Sequence, residues 1–245
     1  MRTVIIAQAR MTSTRLPGKV LKTVLGKPLL AYFVERLRRV SLADQVLIAT
    51  TINASDEPIV NLCRTLQTGF TRGSEDDVLA RYHDAAVVSG ADTVVRVTSD
   101  CPLIDPVVID EAIRFFNATF PNFDYVSNSL EPSYPLGMGV EVFSSRALRE
   151  AFCEATREPD REHVTPFLYT HPERYRIGGL RYSHDLSRHR WTVDTPQDLE
   201  LISRIIEALY PLKPDFNLAD IVELLARHPD WLLINADIRQ KKLGQ

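Results

Sequence analysis

The chain has 245 residues, of which 44% are hydrophobic and 25% charged, and these values suit one globular domain with a sizeable core. Its formal net charge of -3 excludes a general electrostatic attraction to nucleic acid or to an anionic membrane surface. Its 3 cysteines are widely spaced and form no CxxC pair, which argues against a zinc site and a disulfide framework, so we expect reduced thiols in a cytoplasmic protein.

Strand and helix patterns alternate through the first 116 residues. The run Thr3–Ile6 predicts a short buried strand, and the apolar positions between Leu29 and Leu37 repeat with a period near 3.6, which is typical of a helix. Further patterns predict, in chain order, a strand at 46–50, a helix at 57–66, a helix at 77–89, a strand at 93–97 and a helix at 106–116. Strands separated by helices predict an α/β fold with a parallel sheet and right-handed crossovers.

The pattern changes after Pro121. The remaining elements are predicted as a strand at 140–143, helices at 145–156 and 161–170, strands near 174–177 and at 191–193, and a helix at 198–209. We expect the block of about 121–180 to be an insertion that leaves the sheet and covers the substrate, within one domain spanning 1–245. The apolar run at the start of the chain is too short for a signal peptide, and no stretch approaches a membrane span.

The segment Gln8–Lys19 is the most informative part of the sequence. It follows the first predicted strand and carries the cations Arg10, Arg15 and Lys19, with the hydroxyls of Ser13 and Thr14 between them. Cationic side chains and free backbone amides at the carboxyl end of a parallel strand are typical of a site for several phosphates. Neither a GxGxxG nor a Gly-Lys-Ser/Thr phosphate loop is present. The plain alternative is a solvated basic loop.

Two carboxylates, Asp100 and Asp194, each follow a predicted strand. Transfer of a nucleotidyl group needs neutralisation of a polyphosphate, and Mg²⁺ prefers one or two protein carboxylates together with phosphate oxygens and water. The pair is therefore a candidate magnesium site opposite the basic loop. The alternative for Asp194 is an ordinary helix cap, because Thr195 and Pro196 follow it.

These motifs resemble the signature of the sugar-acid cytidylyltransferases, the enzymes that activate 3-deoxy-manno-octulosonate and acylneuraminate. Within that superfamily the chain is most similar to the branch called spore coat polysaccharide biosynthesis protein F. One departure is Gln8, where the octulosonate enzymes carry proline. The likeness covers nearly the whole chain and includes Ala9–Lys19, Arg72–Leu79, Asp100–Leu103, Arg161–Thr165 and Trp191–Pro196.

The resemblance implies a Rossmann-like, mostly parallel sheet flanked by helices, the fold of the nucleotide-diphospho-sugar transferases. It implies Mg²⁺-dependent transfer of a cytidylyl group from CTP to a sugar acid or related hydroxyl acceptor, for surface or spore-coat polysaccharide synthesis. Asp100 and Asp194 match the Mg²⁺-binding aspartates of these enzymes. Such an insertion also supplies a dimer contact in the relatives, and we expect a homodimer through apolar residues such as Phe123, Tyr134, Leu136 and Met138.

Roles follow for individual residues. Lys19 and Arg15 would hold the β- and γ-phosphates, and Arg10 would reach the α- or β-phosphate and steady the developing charge. Main-chain groups of Ala7, Gln8 and Ala9 and the turn of Thr98 and Ser99 are expected to contact the base. Further nucleotide contacts are expected from Ser13, Thr14, Arg72 and Ser74, and acceptor contacts from Asn128, Glu141, Arg161 and His163. As alternatives, Ser74 caps a helix whose first turn is acidic, and His163 is a packed helix residue.

Two other functions remain open from the sequence. The main alternative is a glycosyltransferase of the related nucleotide-sugar fold, although such enzymes usually hold their metal with an Asp-x-Asp motif, and no such motif follows a predicted strand here. The other is a non-catalytic nucleotide-sensing protein, which would bind without turnover. Cytosine is favoured over uracil only by the resemblance.

Overall fold

The computed structural model describes residues 1–240. The strands are β1 (Thr3–Gln8), β2 (Thr23–Val24), β3 (Lys27–Pro28), β4 (Gln45–Thr51), β5 (Gly69–Gly73), β6 (Thr93–Thr98), β7 (Tyr125–Ser127), β8 (Glu141–Ser144) and β9 (Ile177–Gly179). The helices are α1 (Leu29–Leu37), α2 (Glu57–Thr65), α3 (Val78–Ser89), α4 (Pro106–Thr119), α5 (Ser145–Glu154), α6 (Glu158–His163), α7 (Pro166–Tyr169), α8 (Pro196–Leu209) and α9 (Leu218–Arg227). Seven strands form one sheet in the order β5-β4-β1-β6-β8-β7-β9, and β2 and β3 form a separate hairpin.

Strands β5, β4, β1 and β6 run parallel to one another, as the alternating pattern predicts. In β1, Ile5 and Ala7 pack with α1 and α4 on one face of the sheet, while Val4 and Ile6 pack with α3 and α5 on the other. A parallel strand covered by helices on both faces needs apolar residues at every position, which explains the uninterrupted β-branched run. The predicted α/β fold is confirmed.

The block of about 121–180 does not leave the sheet, so this part of the prediction is wrong. Strand β8 pairs antiparallel with β6, β7 pairs antiparallel with β8, and β9 pairs parallel with β7. All residues of β7 and β8 are buried, because α4 on one side and α5 on the other cover them. Three-residue strands such as β7 and β9 carry too few positions for a periodic pattern.

The predicted strand at 191–193 is also corrected. Trp191 belongs to an extended segment outside the sheet, next to an isolated parallel bridge between Leu136 and Arg190. Its amide donates to the carbonyl of Leu136 at 2.6 Å, and the amide of Val193 donates to the carbonyl of Asp100 at 2.7 Å. The segment is thus fixed by backbone hydrogen bonds that bring Asp194 to the end of β6.

The apolar residues expected at a dimer contact divide into two groups. Met138 is fully buried and Tyr134 nearly so, and both belong to the core of this chain. Phe123 is half-buried against the same core, while Leu136 is 37% exposed. Tyr134 and Met138 therefore cannot be the residues that contact a partner.

The helical prediction at 161–170 corresponds to two short helices, α6 and α7, separated by a turn. Val164 in that turn has φ 75°, an unusual conformation for a β-branched residue, and it is fully buried. Strand β5 and helix α9 were not predicted. In the described part of the chain, no helix combines the length and the apolar character needed to span a membrane.

Candidate active site

The basic loop begins where β1 ends and folds back on itself. The amides of Ser13 and Gly18 both donate to the carbonyl of Met11, at 3.0 and 2.9 Å. Gly18 adopts φ 67°, and a Cβ there would lie 3.1 Å from the Met11 side chain, so glycine suits this close left-handed turn. The turn directs Lys19, the first residue of a short 3-10 helix, back toward the strand ends.

Neighbouring elements hold the loop from outside. Asp56, which is 1% exposed, accepts the amide of Met11 at 2.8 Å. Glu75 accepts hydrogen bonds from the hydroxyl of Thr12 and from the side-chain amide of Asn53. Sequence reasoning did not find these anchors, because an isolated acidic residue in a turn carries no signal of the distant loop that it binds.

Lys19 meets both predicted metal ligands. Its Nζ donates to Asp100 Oδ2 and to Asp194 Oδ1, each at 2.7 Å. Burial lowers the pKa of Lys19, but the two carboxylates raise it by more, so the net pKa lies above its ordinary value. Burial likewise raises the pKa of Asp100, and Lys19 outweighs this effect and lowers it. The site is an ion pair of one ammonium with two carboxylates.

The second oxygen of Asp194 contacts two guanidinium groups, those of Arg15 at 3.0 Å and Arg190 at 2.9 Å. Arg190 is held in turn by Asp198, which is fully buried and accepts from its Nε and Nη2 at 2.8 and 3.0 Å. The cap of α8 is Thr195, which forms a capping box with Asp198. The helix-cap alternative for Asp194 is therefore wrong.

Sequence reasoning missed Arg190 and Asp198. The only local signal at Asp198 is its position three residues after Thr195, which is fully explained by the capping box. Its contact with Arg190 depends on how the extended segment folds, and nothing in the periodicity predicts that. The two residues connect the start of α8 to the carboxylate that faces the loop.

The carboxylate pair fits Mg²⁺ bound together with a substrate. Asp100 and Asp194 already converge on one cation, because each has an oxygen within 2.7 Å of the same ammonium. Across residues 1–240, no group of three or more His, Cys, Asp or Glu side chains is arranged to hold a metal ion. A cation at this point would therefore take its remaining ligands from phosphate oxygens and water, which is the habit of Mg²⁺.

A cavity of about 1210 Å³ extends from the loop across the sheet to α6. This volume can hold two small substrates side by side. We call the part beside the basic loop the nucleotide end, after the contacts expected there; it is lined by Gln8, Arg10, Ser13, Thr14, Arg15, Lys19, Thr98, Ser99, Asp100 and Asp194. We call the part toward α6 the acceptor end, for the same reason; it is lined among others by Arg96, Tyr125, Asn128, Glu141, Glu158, Glu162, His163 and Tyr169.

Two of the predicted acceptor residues support the wall of the cavity. The side chain of Asn128 donates to the carbonyl of Met138 at 2.7 Å and accepts the amide of Val140 at 2.8 Å. Glu141 forms an ion pair with Arg96. Contact of Asn128 and Glu141 with an acceptor stays a prediction, since the structure shows both already engaged.

Glu141 is the centre of a further network that the sequence did not reveal. Besides Arg96, it accepts the hydroxyls of Tyr125, at 2.6 Å, and Thr165. His163 also lines the cavity, and burial lowers its pKa.

Several predicted residues lie outside the cavity lining. Arg72 donates to the carbonyls of Thr51 at 2.9 Å and Asn53 at 3.0 Å, and it pairs with Glu57. Ala7 and Ala9 are buried in the core. Arg72 therefore does not line the cavity, while the predicted contact of the base with main-chain groups of Ala7 and Ala9 stays a prediction.

Two further predicted site residues, Ser74 and Arg161, lie near the start of α3. Asp77, rather than Ser74, is the N-cap residue, because its side chain accepts the amide of Ala80 at 2.9 Å. Arg161 pairs with Asp77 and donates to the carbonyl of Phe152 at 2.8 Å. Ser74 and Arg161 are thus not among the residues that line the cavity, and their contact with a substrate stays a prediction.

Comparison with known proteins decides the family. The family model described as cytidylyltransferase matches residues 4–218. The chain belongs to this family. The match includes the basic loop, Asp100, Asp194 and the start of α9, so it spans every lining residue named above.

Relatives of this cytidylyltransferase agree in sequence and fold. The spore coat polysaccharide biosynthesis protein SpsF of Bacillus subtilis is 32% identical over 234 residues, covering 92% of this chain and 94% of that protein. The solved structure of a cytidylyltransferase from Leptospira borgpetersenii is 28% identical with a TM-score of 0.91, covering 99% and 100% of the two chains. CMP:2-keto-3-deoxy-manno-octonic acid synthetase, solved with CTP, shares the fold at 18% identity and a TM-score of 0.67, covering 85% and 99%.

The predicted likeness to sugar-acid cytidylyltransferases is confirmed, and with it the class of nucleotidyltransferase. The glycosyltransferase alternative loses its support. In this cytidylyltransferase the nucleotide end of the cavity is cationic, apart from the carboxylate pair that Lys19 bridges. Such an arrangement can bind a triphosphate and stabilise a pyrophosphate leaving group.

Proposed function

We propose that this enzyme transfers the cytidylyl group of CTP to a hydroxyl of a sugar acid or related acceptor, in a Mg²⁺-dependent reaction that releases pyrophosphate. The observation that carries the proposal is the bridge from Lys19 to Asp100 and Asp194 at the foot of the basic loop. The names of the two relatives, a spore coat polysaccharide biosynthesis protein and an octonic acid synthetase, support a surface or spore-coat polysaccharide pathway.

The triphosphate binds along the loop. Arg15 and Lys19 hold the β- and γ-phosphates, Ser13 and free loop amides bind neighbouring oxygens, and Arg10 lies toward the α-phosphate. Charge-assisted hydrogen bonds of this kind are the strong ones. Thr98, at the end of β6, faces the same part of the cavity, where it can contact the base.

The acceptor hydroxyl attacks the α-phosphorus directly from the opposite end of the cavity. A new oxygen–phosphorus bond forms, the hydroxyl proton is released to solvent, and the bond to the pyrophosphate oxygen breaks, so an in-line arrangement is needed. A covalent intermediate on the protein is not required. Cys101 lies beside Asp100, but burial raises the pKa of its thiol far above the ordinary range and keeps it protonated.

Asp100 and Asp194 would hold Mg²⁺, and Arg190 would keep Asp194 in place from behind. When bound, the ion supplies neutralisation of charge on the phosphates and on the departing pyrophosphate. Arg10 and Arg15 stabilise the same charge from the loop side.

We further propose a cytoplasmic homodimer that binds neither nucleic acid nor membrane. The free thiols of Cys63, Cys101 and Cys153 support a reducing compartment. The partially exposed Leu136 and Phe123 remain available for a contact within the block of about 121–180. Sedimentation at micromolar concentration tests the dimer, and a monomer would contradict it without touching the catalytic proposal.

The decisive experiment measures pyrophosphate release from four nucleoside triphosphates with a panel of sugar acids, with Mg²⁺ and with a chelator. We expect release from CTP only, dependent on one class of acceptor and abolished by the chelator. Equal release from UTP would contradict the base assignment. Release that survives the chelator would contradict the metal assignment.

A further inference from the structure

The cations around Asp194 are held in different ways. Arg190 is 8% exposed and is fixed by two hydrogen bonds to buried Asp198, so its contact with Asp194 Oδ2 belongs to the wall of the site. Arg15 reaches the same oxygen from the loop at 3.0 Å. Lys19 instead contacts Oδ1, the oxygen that these two arginines leave free.

The ammonium of Lys19 lies where the two carboxylates converge. It is 2.7 Å from Asp194 Oδ1 and 2.7 Å from Asp100 Oδ2, and within the described chain it has no other hydrogen-bond partner. A divalent cation bound by the same two oxygens would lie against this ammonium, and like charges at contact distance repel strongly where solvent is largely excluded. The carboxylate pair can therefore hold Lys19 or a divalent cation, but not both.

The ammonium of Lys19 would find other partners on a bound triphosphate. Its side chain lines the same cavity as Ser13, Arg10 and Arg15, where a triphosphate would present several anionic oxygens. A lysine carries a compact point charge on a flexible stem, so it can exchange partners at little cost in geometry. Arg190 cannot do the same, because leaving Asp194 would also break its paired contact with Asp198.

We propose that Lys19 is the exchangeable cation of this site: it neutralises Asp100 and Asp194 in the nucleotide-free enzyme and leaves them for the triphosphate. The pair then accepts a divalent cation only when the triphosphate is present. This inference rests on the proposed binding of CTP to the basic loop. It implies an order of binding: the nucleotide-free enzyme has little affinity for the metal, which binds only together with the triphosphate or after it.

The test measures binding of Mn²⁺ to nucleotide-free protein, by the electron paramagnetic resonance signal of free Mn²⁺. We expect weak binding to the wild type and binding about tenfold tighter or more to Lys19→Met, because the competing charge is removed. The matched control is Lys22→Met, which removes an exposed lysine from the end of the same 3-10 turn and is expected to behave as the wild type.

We expect Lys19→Met to be less stable than the wild type, because it leaves two carboxylates facing each other. The second measurement is therefore thermal unfolding with and without Mn²⁺. We expect Mn²⁺ to raise the Tm of Lys19→Met by several degrees more than that of the wild type, because a ligand stabilises the state that binds it. Adding Asp194→Asn to Lys19→Met is expected to remove both gains. Equal Mn²⁺ binding by wild type and Lys19→Met, or a gain that persists without Asp194, would overturn the proposal.

A further measurement tests the binding of CTP separately from the exchange of Lys19. Calorimetry of the wild type with CTP, without metal and with Mg²⁺, reports nucleotide binding. No binding of CTP under either condition would refute the proposed function even if Lys19→Met gains affinity for Mn²⁺. Normal CTP binding together with unchanged Mn²⁺ affinity would overturn only the exchange of Lys19.

Discussion

The two ends of the cavity use charge in opposite ways. At the nucleotide end, Lys19 and Arg15 form ion pairs with Asp194 and line the cavity, where the proposed triphosphate would bind. At the acceptor end, Arg96 is locked to Glu141, which also accepts two hydroxyl groups. The first arrangement is suited to binding a polyanion, and the second to fixing the shape of a wall.

The difference follows from how each end is built. The nucleotide end is a loop after a parallel strand, anchored at its back by Asp56 and Glu75, so its cations remain at the surface of the cavity. The acceptor end lies where β6 meets β8, and cross-strand pairing places Arg96 directly opposite Glu141. Opposite charges facing each other across a pair of strands stabilise that pair.

The largest effect is expected at the nucleotide end, from Asp194→Asn. Turnover should fall by about a thousandfold, as expected when a metal that stabilises several kcal/mol of transition-state charge is misplaced. The cap of α8 survives because Thr195 and Asp198 provide it. Pyrophosphate release, measured at temperatures where circular dichroism shows the protein folded, checks this expectation, with the exposed Asp185→Asn as control. Near-normal turnover would remove the basis for a metal at this carboxylate pair.

The acceptor end should respond in stability instead. In Glu141→Gln the buried charge of Arg96 loses its partner, and breaking such a pair from one side costs roughly 3 kcal/mol. We expect a fall in Tm of about 10 °C for a protein of this size, with CTP affinity unchanged. Thermal unfolding and calorimetry measure the two quantities, and the exposed Glu162→Gln is the matched control. A loss of CTP affinity without a loss of stability would show that the two ends do not differ as described.

The sequence predicts the nucleotide end of the cavity better than the acceptor end. The loop Gln8–Lys19 and Asp100 could be chosen as candidates because the residue types that follow a strand are themselves the signal of such a site. Asn128 and Glu141 were assigned by location alone, and the structure shows both supporting the wall. Their partners lie on other elements, so no local pattern could reveal the pairing.

The same reasoning explains the errors in the fold. Three of the four parallel strands were predicted in outline because helices separate them. The exception is the edge strand β5, whose glycines and half-exposed residues form no apolar run. The segment at 191–193 has the composition of a strand, yet it runs beside Leu136 outside the sheet. The amino-acid composition of a segment predicts that it is buried and extended. Whether it joins a sheet depends on which other strands lie close enough to pair with it.

A smaller effect is expected from Lys19→Ala, again at the nucleotide end. Because Lys19 is assigned to phosphates beyond the α position, affinity for CTP and pyrophosphate should fall while affinity for CMP stays nearly constant. A charge-assisted contact is worth roughly 1.5–3 kcal/mol, or about 10- to 150-fold in Kd. Calorimetry with the three ligands checks the assignment, and an equal loss for CMP and CTP would contradict it.

The smallest effect is expected from Arg72→Ala, which tests where the nucleotide end stops. The sequence predicts Arg72 as a nucleotide contact, but in the structure its guanidinium donates to the carbonyls of Thr51 and Asn53 and pairs with Glu57, outside the cavity. We therefore expect the Kd for CTP to change by no more than about twofold, as for a substitution away from the ligand. Arg10→Ala, which removes a cation that lines the cavity, is the matched comparison and should weaken CTP binding clearly. If Arg72→Ala weakened CTP binding as much as Arg10→Ala at unchanged Tm, the nucleotide end would extend to β5, and the loop connecting β5 to α3 would have to close over the ligand.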